Sequence, residues 1–235
     1  MRSCPAIIVF TREPIPGSSK TRLAARIGAR NAAALADGFT HDALAKAREL
    51  GLPLVIAGSA TEALEDNHYF RSLARRFDAA LVDQERGNLG VRMARVLALF
   101  ARRGALLVGT DTPSLPSSVL RQAVALIRCN HVVLGPSLDG GYYLVGIRGA
   151  VPDMFRGIRW GGSRVLQQTI GRLIRVGIRP ALAPAWYDVD RWGDLIVLAE
   201  QLRRLAQRGA LPCPQTAKVL AQLGLLRKCP TSTLK

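Results

Sequence analysis

Short apolar runs alternate with amphipathic stretches along most of the chain. Ala6 to Phe10 is a continuous apolar run of strand length. From about Asn31 to Leu50, Leu35, Ala36, Phe39, Ala43, Ala47 and Leu50 recur at helical spacing, and Gly51 and Pro53 end the stretch. Leu54 to Ala57 predicts a second strand, Thr61 to Phe77 a helix, and Ala80 to Val82 a short strand. A helix over Gly90 to Arg102 turns Met93, Val96, Leu97 and Phe100 inward, and Ala105 to Val108 follows as a strand. Pro116 and Ser117 open a helix through Ile127, with the Ser117 hydroxyl expected to cap it. Val132 to Leu134 and Tyr142 to Ile147 read as strands, and Ser163 to Val176 as a helix. In a last long helix, Asp190 to Gln207, the inner stripe is Leu195, Leu198, Ala199, Leu202, Leu205 and Ala206.

Repeated strand–helix units of this length predict an α/β fold: a mostly parallel sheet flanked by helices, in three α/β/α layers. We expect one domain over residues 1–209. Residues 210–235 form a C-terminal appendage, a helix from Gln215 to Leu226 and a polar tail. With 235 residues and 49% hydrophobic content, the chain can bury a sizeable core.

Composition narrows the classes. No apolar run approaches the roughly 20 residues of a membrane span, and the first run leads into Thr11, Arg12 and Glu13, which is not a signal-peptide cleavage site. Cys4, Cys129, Cys213 and Cys229 are scattered, with no zinc-ligand spacing, and suit a reducing cytoplasm. The 33 Lys+Arg exceed 17 Asp+Glu, for a net charge of +16. That charge draws anions. The basic residues are not interleaved with aromatics and carry no nucleic-acid-binding signature, so no specific nucleic-acid partner is expected.

Candidate chemistry gathers after the strands, where open parallel sheets bind ligands. Arg12-Glu13-Pro14-Ile15-Pro16-Gly17-Ser18-Ser19-Lys20-Thr21-Arg22 is a stiff loop with closely spaced cations. Free amides, Lys20 and Arg22 can cradle a diphosphate, although an ordinary basic loop would look similar. It is neither a Walker A loop nor a dinucleotide fingerprint. Gln84-Glu85-Arg86-Gly87-Asn88-Leu89-Gly90-Val91-Arg92 combines glycines that admit close backbone approach with a cation in the first helical turn. In Gly109-Thr110-Asp111-Thr112-Pro113, a lone carboxylate ends an apolar strand; it suits Mg²⁺ or Mn²⁺, or else caps a turn. Asp139-Gly140-Gly141-Tyr142-Tyr143 suits sugar or acceptor hydroxyls, but is also a plain turn sequence. In Asp188-Val189-Asp190, a strand would turn the two carboxylates to opposite faces, leaving one to reach a metal; Asp190 could equally cap the last long helix.

In order and spacing these segments resemble the small glycosyltransferase-A-like family of rSAM/selenodomain-associated or arsenosugar-biosynthesis glycosyltransferases. Its members look like F-x-K-x-P-x-x-G-x-x-K-T-R-L, Q-x-x-G-D-L-G-x-R-M, G-x-D-x-P-x-L, G-P-x-x-D-G-G-Y-Y-L-x-G and D-x-D-x-x-x-D-L. The resemblance runs from about Phe10 to Leu195. It implies a nucleotide-diphospho-sugar transferase fold related to molybdenum-cofactor nucleotidyltransferases and phospholactate guanylyltransferases. Carried across, Arg12, Gly17, Lys20, Arg22, Gly90 and Arg92 would bind the nucleotide, and Asp111 and Asp190 the metal. Asp111 and Asp139 would be catalytic, and Gly140, Gly141, Tyr142 and Tyr143 would face the sugar or acceptor. Arg12 replaces a usual Lys, Asn88 a common Asp, Gly161-Gly162 a usual Ser-Thr, and Arg191-Trp192-Gly193 a Thr-Pro-Glu-like stretch. The last two departures fall on the acceptor side.

The expected activity is metal-dependent transfer of a sugar from a nucleotide-diphosphate donor to an acceptor the sequence does not name. Nucleotidyl transfer from an NTP is the alternative within the enzymes. A non-catalytic nucleotide- or nucleic-acid-binding protein is the alternative outside them. The oligomeric state stays open, a homodimer included. From charge without a recognition motif, only weak, sequence-independent nucleic-acid binding is expected, fading as salt nears physiological strength. Filter binding against a salt series checks this; tight, sequence-selective binding at that salt would contradict it.

Overall fold

The structure, a computed structural model, describes residues 4–226. Cys229 and the tail from residue 227 lie outside them. Seven strands, β1 (Ala6–Phe10), β2 (Leu54–Gly58), β3 (Ala80–Asp83), β4 (Ala105–Gly109), β5 (Val132–Pro136), β6 (Tyr142–Ile147) and β7 (Ala181–Leu182), form one sheet in the order β3-β2-β1-β4-β6-β5-β7. All are parallel except β6, which runs antiparallel to both β4 and β5. The helices are α1 (Thr21–Ile27), α2 (Ala29–Arg48), α3 (His68–Phe77), α4 (Leu89–Ala98), α5 (Ser117–Ile127), α6 (Val165–Arg175), α7 (Trp192–Ala206) and α8 (Pro214–Gln222).

Helices cover both faces of the sheet. Alternate side chains of a strand point to opposite faces. Ile7 and Val9 therefore pack with α2, α3 and α5, while Ala6 and Ile8 pack with α4 and Phe155. Burial on both faces explains why the central strands read as continuous apolar runs rather than alternating ones. Each large aliphatic side chain taken out of water there contributes about 1.5–3 kcal/mol. A third cluster joins α1, α2, α7 and α8 through Leu23, Leu35, Phe39, Leu198 and Leu220.

The predicted elements are present, with corrections at their edges. Helix α1 was not expected; Pro14, Pro16 and Gly17 drew attention to a loop, yet the chain turns helical at Thr21. Helix α3 starts at His68 instead of Thr61, because Asn67 caps it by accepting from the Phe70 N–H at 3.1 Å. Ser117 does not cap α5; its hydroxyl donates to Glu49 Oε2 at 2.7 Å. Asp190 does not cap α7 either, since the backbone N–H groups of Asp190 and Arg191 both donate to Asp194. The inner stripe of α7 holds from Leu195 to Leu202, and Ala206 is exposed.

Helix α8 docks on α2 through one carboxylate. Asp42 is buried on α2 and accepts from the Gln215 N–H (3.1 Å), the Thr216 N–H (2.8 Å) and the Thr216 hydroxyl (2.6 Å). It thereby satisfies the free amides at the α8 start. Gly38 completes the contact: a Cβ there would meet the Thr216 backbone nitrogen at 3.2 Å. We expect Asp42→Ala to cost about 2–4 kcal/mol by stranding those buried donors. Urea unfolding of both proteins checks this, and a loss under about 0.5 kcal/mol, the level of an ordinary surface change, would refute it.

Candidate active site

The carboxyl ends of β1, β3 and β4 meet at one edge of the sheet. Because β6 runs antiparallel, its start lies at that same edge, joined to β5 by the tight turn 137–141. Gly140, at φ +90, closes this turn so tightly against the backbone that a Cβ would sit 1.9 Å from the Ser163 carbonyl oxygen. A further segment crosses above the edge. Trp186 bonds alongside β5, and the Val189 N–H donates to the Asp111 carbonyl at 2.8 Å. Together these segments line a cleft of about 730 Å³, in the size range of small-ligand sites.

Lys20 lies at the centre. It takes the left-handed backbone conformation, φ 46 and ψ 48, just before α1. Its Nζ donates to Asp111 Oδ1 and Asp190 Oδ1 at 2.7 Å each and to the Val189 carbonyl at 2.9 Å. The Phe39 ring centre is 5.2 Å away, and the side chain is 10% exposed. Three acceptors use all three ammonium protons. Burial works against the charge, but Asp111 and Asp190 outweigh it and hold the Lys20 pKa above its ordinary value. Lys20 was expected on phosphate; here its ammonium is committed to carboxylates.

Arg12, Arg22 and Arg92 also line the cleft. Arg12 and Arg22 are exposed in the cleft and form no ion pair among the described residues. Arg92 is buried, with its guanidinium 5.4 Å from the Phe10 ring centre. Gln84 holds it in place. Its Nε2 donates to the Thr11 and Ala57 carbonyls at 2.7 and 2.6 Å, and its Oε1 accepts from Arg92. Burial and then the nearby Arg12 charge lower the Arg92 pKa, against Asp83. Its Nε is buried without a partner among the described residues. Asn88 caps α4 by accepting from the Val91 N–H at 3.0 Å.

Five carboxylates line the cleft: Glu13, Asp111, Asp139, Asp188 and Asp190. The expectation that Asp188 and Asp190 face opposite ways fails, because this stretch is not a strand and both reach the cleft. Asp188 accepts from the Ser137 hydroxyl. Burial pushes its pKa up to about 7 against that hydrogen bond, with the charges of Asp139, Asp111 and Asp190 adding to the rise. Asp139 is exposed, and its Oδ1 accepts from the Gly141 N–H at 2.8 Å.

The other residues expected to touch ligand divide between the cleft and the scaffold. Gly17 and Gly90 do not line the cleft. A Cβ on Gly90 would lie 2.7 Å from Trp160 and 2.8 Å from Phe155, so this glycine seats the Trp160 ring, which does line it. Tyr143 is buried over Gly135 and donates its hydroxyl to the Pro184 carbonyl at 2.8 Å. The Tyr142 hydroxyl is buried without a partner among the described residues, and its ring meets Trp160 edge-on. Both tyrosines line the cleft, with the Tyr143 hydroxyl taken by the Pro184 carbonyl and the Tyr142 hydroxyl buried. Gln84, Trp160 and Asp188 were missed as site residues, although Gln84 heads the second segment and Asp188 the fifth.

A mostly parallel sheet with one reversed strand and a charged cleft at its carboxyl edge is the fold of nucleotide-diphospho-sugar transferases and nucleotidyltransferases. Within that class the chain belongs to the family described as "Uncharacterized protein conserved in bacteria (DUF2064)", whose model matches residues 40–162. It is similar to the crystal structure of a Desulfovibrio desulfuricans G20 protein that carries the provisional name nucleotide-diphospho-sugar transferase. The TM-score is 0.82 at 29% identity, covering 96% of this chain and 97% of that one. The fold is shared with the inositol-1-phosphate CTP transferase from T. maritima, at TM-score 0.54 and 12% identity over 94% of this chain and 97% of that one. It is also shared with a nucleotidyl transferase from Methanothermobacter, at TM-score 0.54 and 14% identity over 86% and 98%. No curated protein matches the chain. Among the described residues no helix is long and apolar enough to cross a membrane.

The Asp188 carboxyl sets a pH dependence of stability. Its folded pKa, about 7, exceeds the ordinary 3.8, so between those values the folded state holds a proton the unfolded state has lost. Stability from this group is full below pH ~4 and is lost as pH rises through ~7. We expect Asp188→Asn to flatten the fall in stability between pH 4.5 and 8 in metal-free protein. Urea midpoints at both pH values check this; an unchanged pH slope in the variant would count against it.

Proposed function

We propose that this protein is a nucleotide-utilising transferase that moves a sugar from a nucleotide-diphosphate donor to an acceptor. The observation that carries the reading is that one cleft at the sheet edge brings together several arginines and several carboxylates. Arg12 and Arg22 flank the loop after β1 and Arg92 lies on α4, while Asp111 follows β4, Asp139 sits in the turn 137–141, and Asp188 and Asp190 lie on the crossing segment; Glu13 and Lys20 line the cleft as well. The arginines suit a diphosphate, and the carboxylates, with Trp160 and Gly141, suit a polyhydroxyl group. The similarity to the Desulfovibrio protein supports the same reading. On it, the chain is a glycosyltransferase of the rSAM-associated or arsenosugar type that its five segments resemble.

The donor set fits a divalent ion in its chemistry. Asp111 and Asp190 reach one nitrogen at 2.7 Å each, so two hard oxygen donors converge on a point. Among the described residues no three His, Cys, Asp or Glu side chains form a metal-holding group. Two carboxylates are therefore the protein's share, which is usual for Mg²⁺ bound with phosphate and water. Mg²⁺ or Mn²⁺ held there would supply positive charge to a leaving diphosphate. Arg12 and Arg22 bind the phosphates, and Arg92, fixed by Gln84, stabilises charge as it develops. Asp139, in the turn 137–141, orients the acceptor and takes its proton.

The test is product analysis. With Mn²⁺ and a panel of NDP-sugars we expect slow release of NDP and free sugar, lost in Asp111→Ala with the fold retained by circular dichroism. Arg22→Ala should weaken nucleotide binding by about 1–3 kcal/mol, the scale of a lost charge-assisted contact, and leave nucleoside binding unchanged. Pyrophosphate release from an NTP, without turnover of any NDP-sugar, would replace sugar transfer by nucleotidyl transfer.

A further inference from the structure

Lys20 occupies the point on which Asp111 and Asp190 converge. Its ammonium is 2.7 Å from each carboxylate, and the Val189 carbonyl takes the third proton at 2.9 Å. The side chain is held from behind by Phe39 and is 10% exposed. Its backbone sits at φ 46, a conformation that side-chain-bearing residues adopt at a cost. An ammonium and a divalent ion cannot share this point: both need the same oxygens, and like charges within hydrogen-bond distance repel strongly. Arg12 and Arg22 line the same cleft without touching either carboxylate.

We propose that Lys20 is a tethered counter-ion that competes with the divalent ion for Asp111 and Asp190. In the metal-free protein it neutralises the pair and holds the crossing segment 188–190 against the end of β4. When a metal enters, the ammonium leaves the pair, and its flexible stem lets it turn to the phosphate side of the cleft. Metal and nucleotide then load together, because the displaced cation gains an anionic partner only when phosphate is present. The inference rests on the proposed metal site but makes a separate claim, that the protein's own lysine limits access to it.

The experiment is Mn²⁺ binding alone, followed by electron paramagnetic resonance, on full-length protein, Lys20→Met and Arg12→Met, with thermal melting to establish that each is folded. Lys20→Met should bind Mn²⁺ at least about tenfold more tightly than the unaltered protein, the scale of removing charge-assisted hydrogen bonds from the carboxylates. Arg12→Met, which removes a cleft cation that touches neither carboxylate, should shift Mn²⁺ affinity by less than about threefold, as expected for a screened charge. Equal or weaker Mn²⁺ binding in Lys20→Met overturns the competition while leaving the metal site standing. Equal tightening in both variants reduces the effect to general cleft charge and also overturns it. If no variant binds Mn²⁺, both the competition and the metal site fail. Should Lys20→Met not fold, Lys20→Gln, which keeps the stem and a hydrogen-bond donor, carries the same expectation.

Discussion

One ammonium ties together three parts of the chain that are far apart in sequence. Lys20 leaves the loop after β1, Asp111 ends β4, and Asp190 sits on the segment that crosses the sheet edge. Without that contact two carboxylates would face each other in a partly buried cleft, at a cost that grows as the local dielectric falls. The left-handed backbone at Lys20 follows from the same need. The loop must turn sharply before α1 and still aim a long side chain back over the edge. The strain, of order 1–2 kcal/mol, is offset by the contacts the lysine makes.

The second constraint is the direction of β6. A parallel strand there would have required a crossover and would have begun at the far edge of the sheet. The antiparallel hairpin needs only residues 137–141, so Asp139 and Gly141 arrive beside Asp111. It also lets Leu166 bond to the Gly140 carbonyl at 2.9 Å, which anchors the segment carrying Trp160 to Gly162 over the cleft. Gly140 and Gly90 are two sides of this arrangement. One admits the Ser163 backbone and the other admits the Trp160 ring. Both were read from the sequence as ligand contacts, and both prove to be places where the scaffold needs no side chain.

The layered α/β architecture was legible because buried parallel strands and amphipathic helices leave strong periodic signals, as in β1, β4 and α7. The direction of β6 was not, since Tyr142 to Ile147 is apolar whichever way it runs. Helix α1 was hidden by the prolines and glycine just before it. For the site, Asp111 was found because a lone carboxylate ending an apolar strand is conspicuous. Asp188 was lost to an assumed strand alternation, which the crossing segment does not obey. The partners of Lys20 were out of reach, because contacts between residues 20, 111 and 190 depend on tertiary structure alone. The same holds for the phenols: two adjacent tyrosines suggest hydroxyls for a ligand, while burial of Tyr143 and its bond to Pro184 spend one of them on the core.

Charge makes sense when the cleft is separated from the surface. The chain carries +16 in total, yet the cleft sets Arg12, Lys20, Arg22 and Arg92 beside Glu13, Asp111, Asp139, Asp188 and Asp190. A net positive surface draws phosphorylated molecules in from solution by its long-range field, and it does so whatever the base or sugar. Discrimination has to come from closer range, where Gln84 fixes Arg92 against Phe10 and the carboxylates resist a second anion. A phosphate beside β4 and the turn 137–141 would meet Asp111 and Asp139, whereas beside the loop after β1 it would meet Arg12 and Arg22, which form no ion pair among the described residues. On the proposed function, the cleft would orient a nucleotide by repulsion as much as by attraction, with its phosphates by the loop after β1 and whatever they carry toward Asp139.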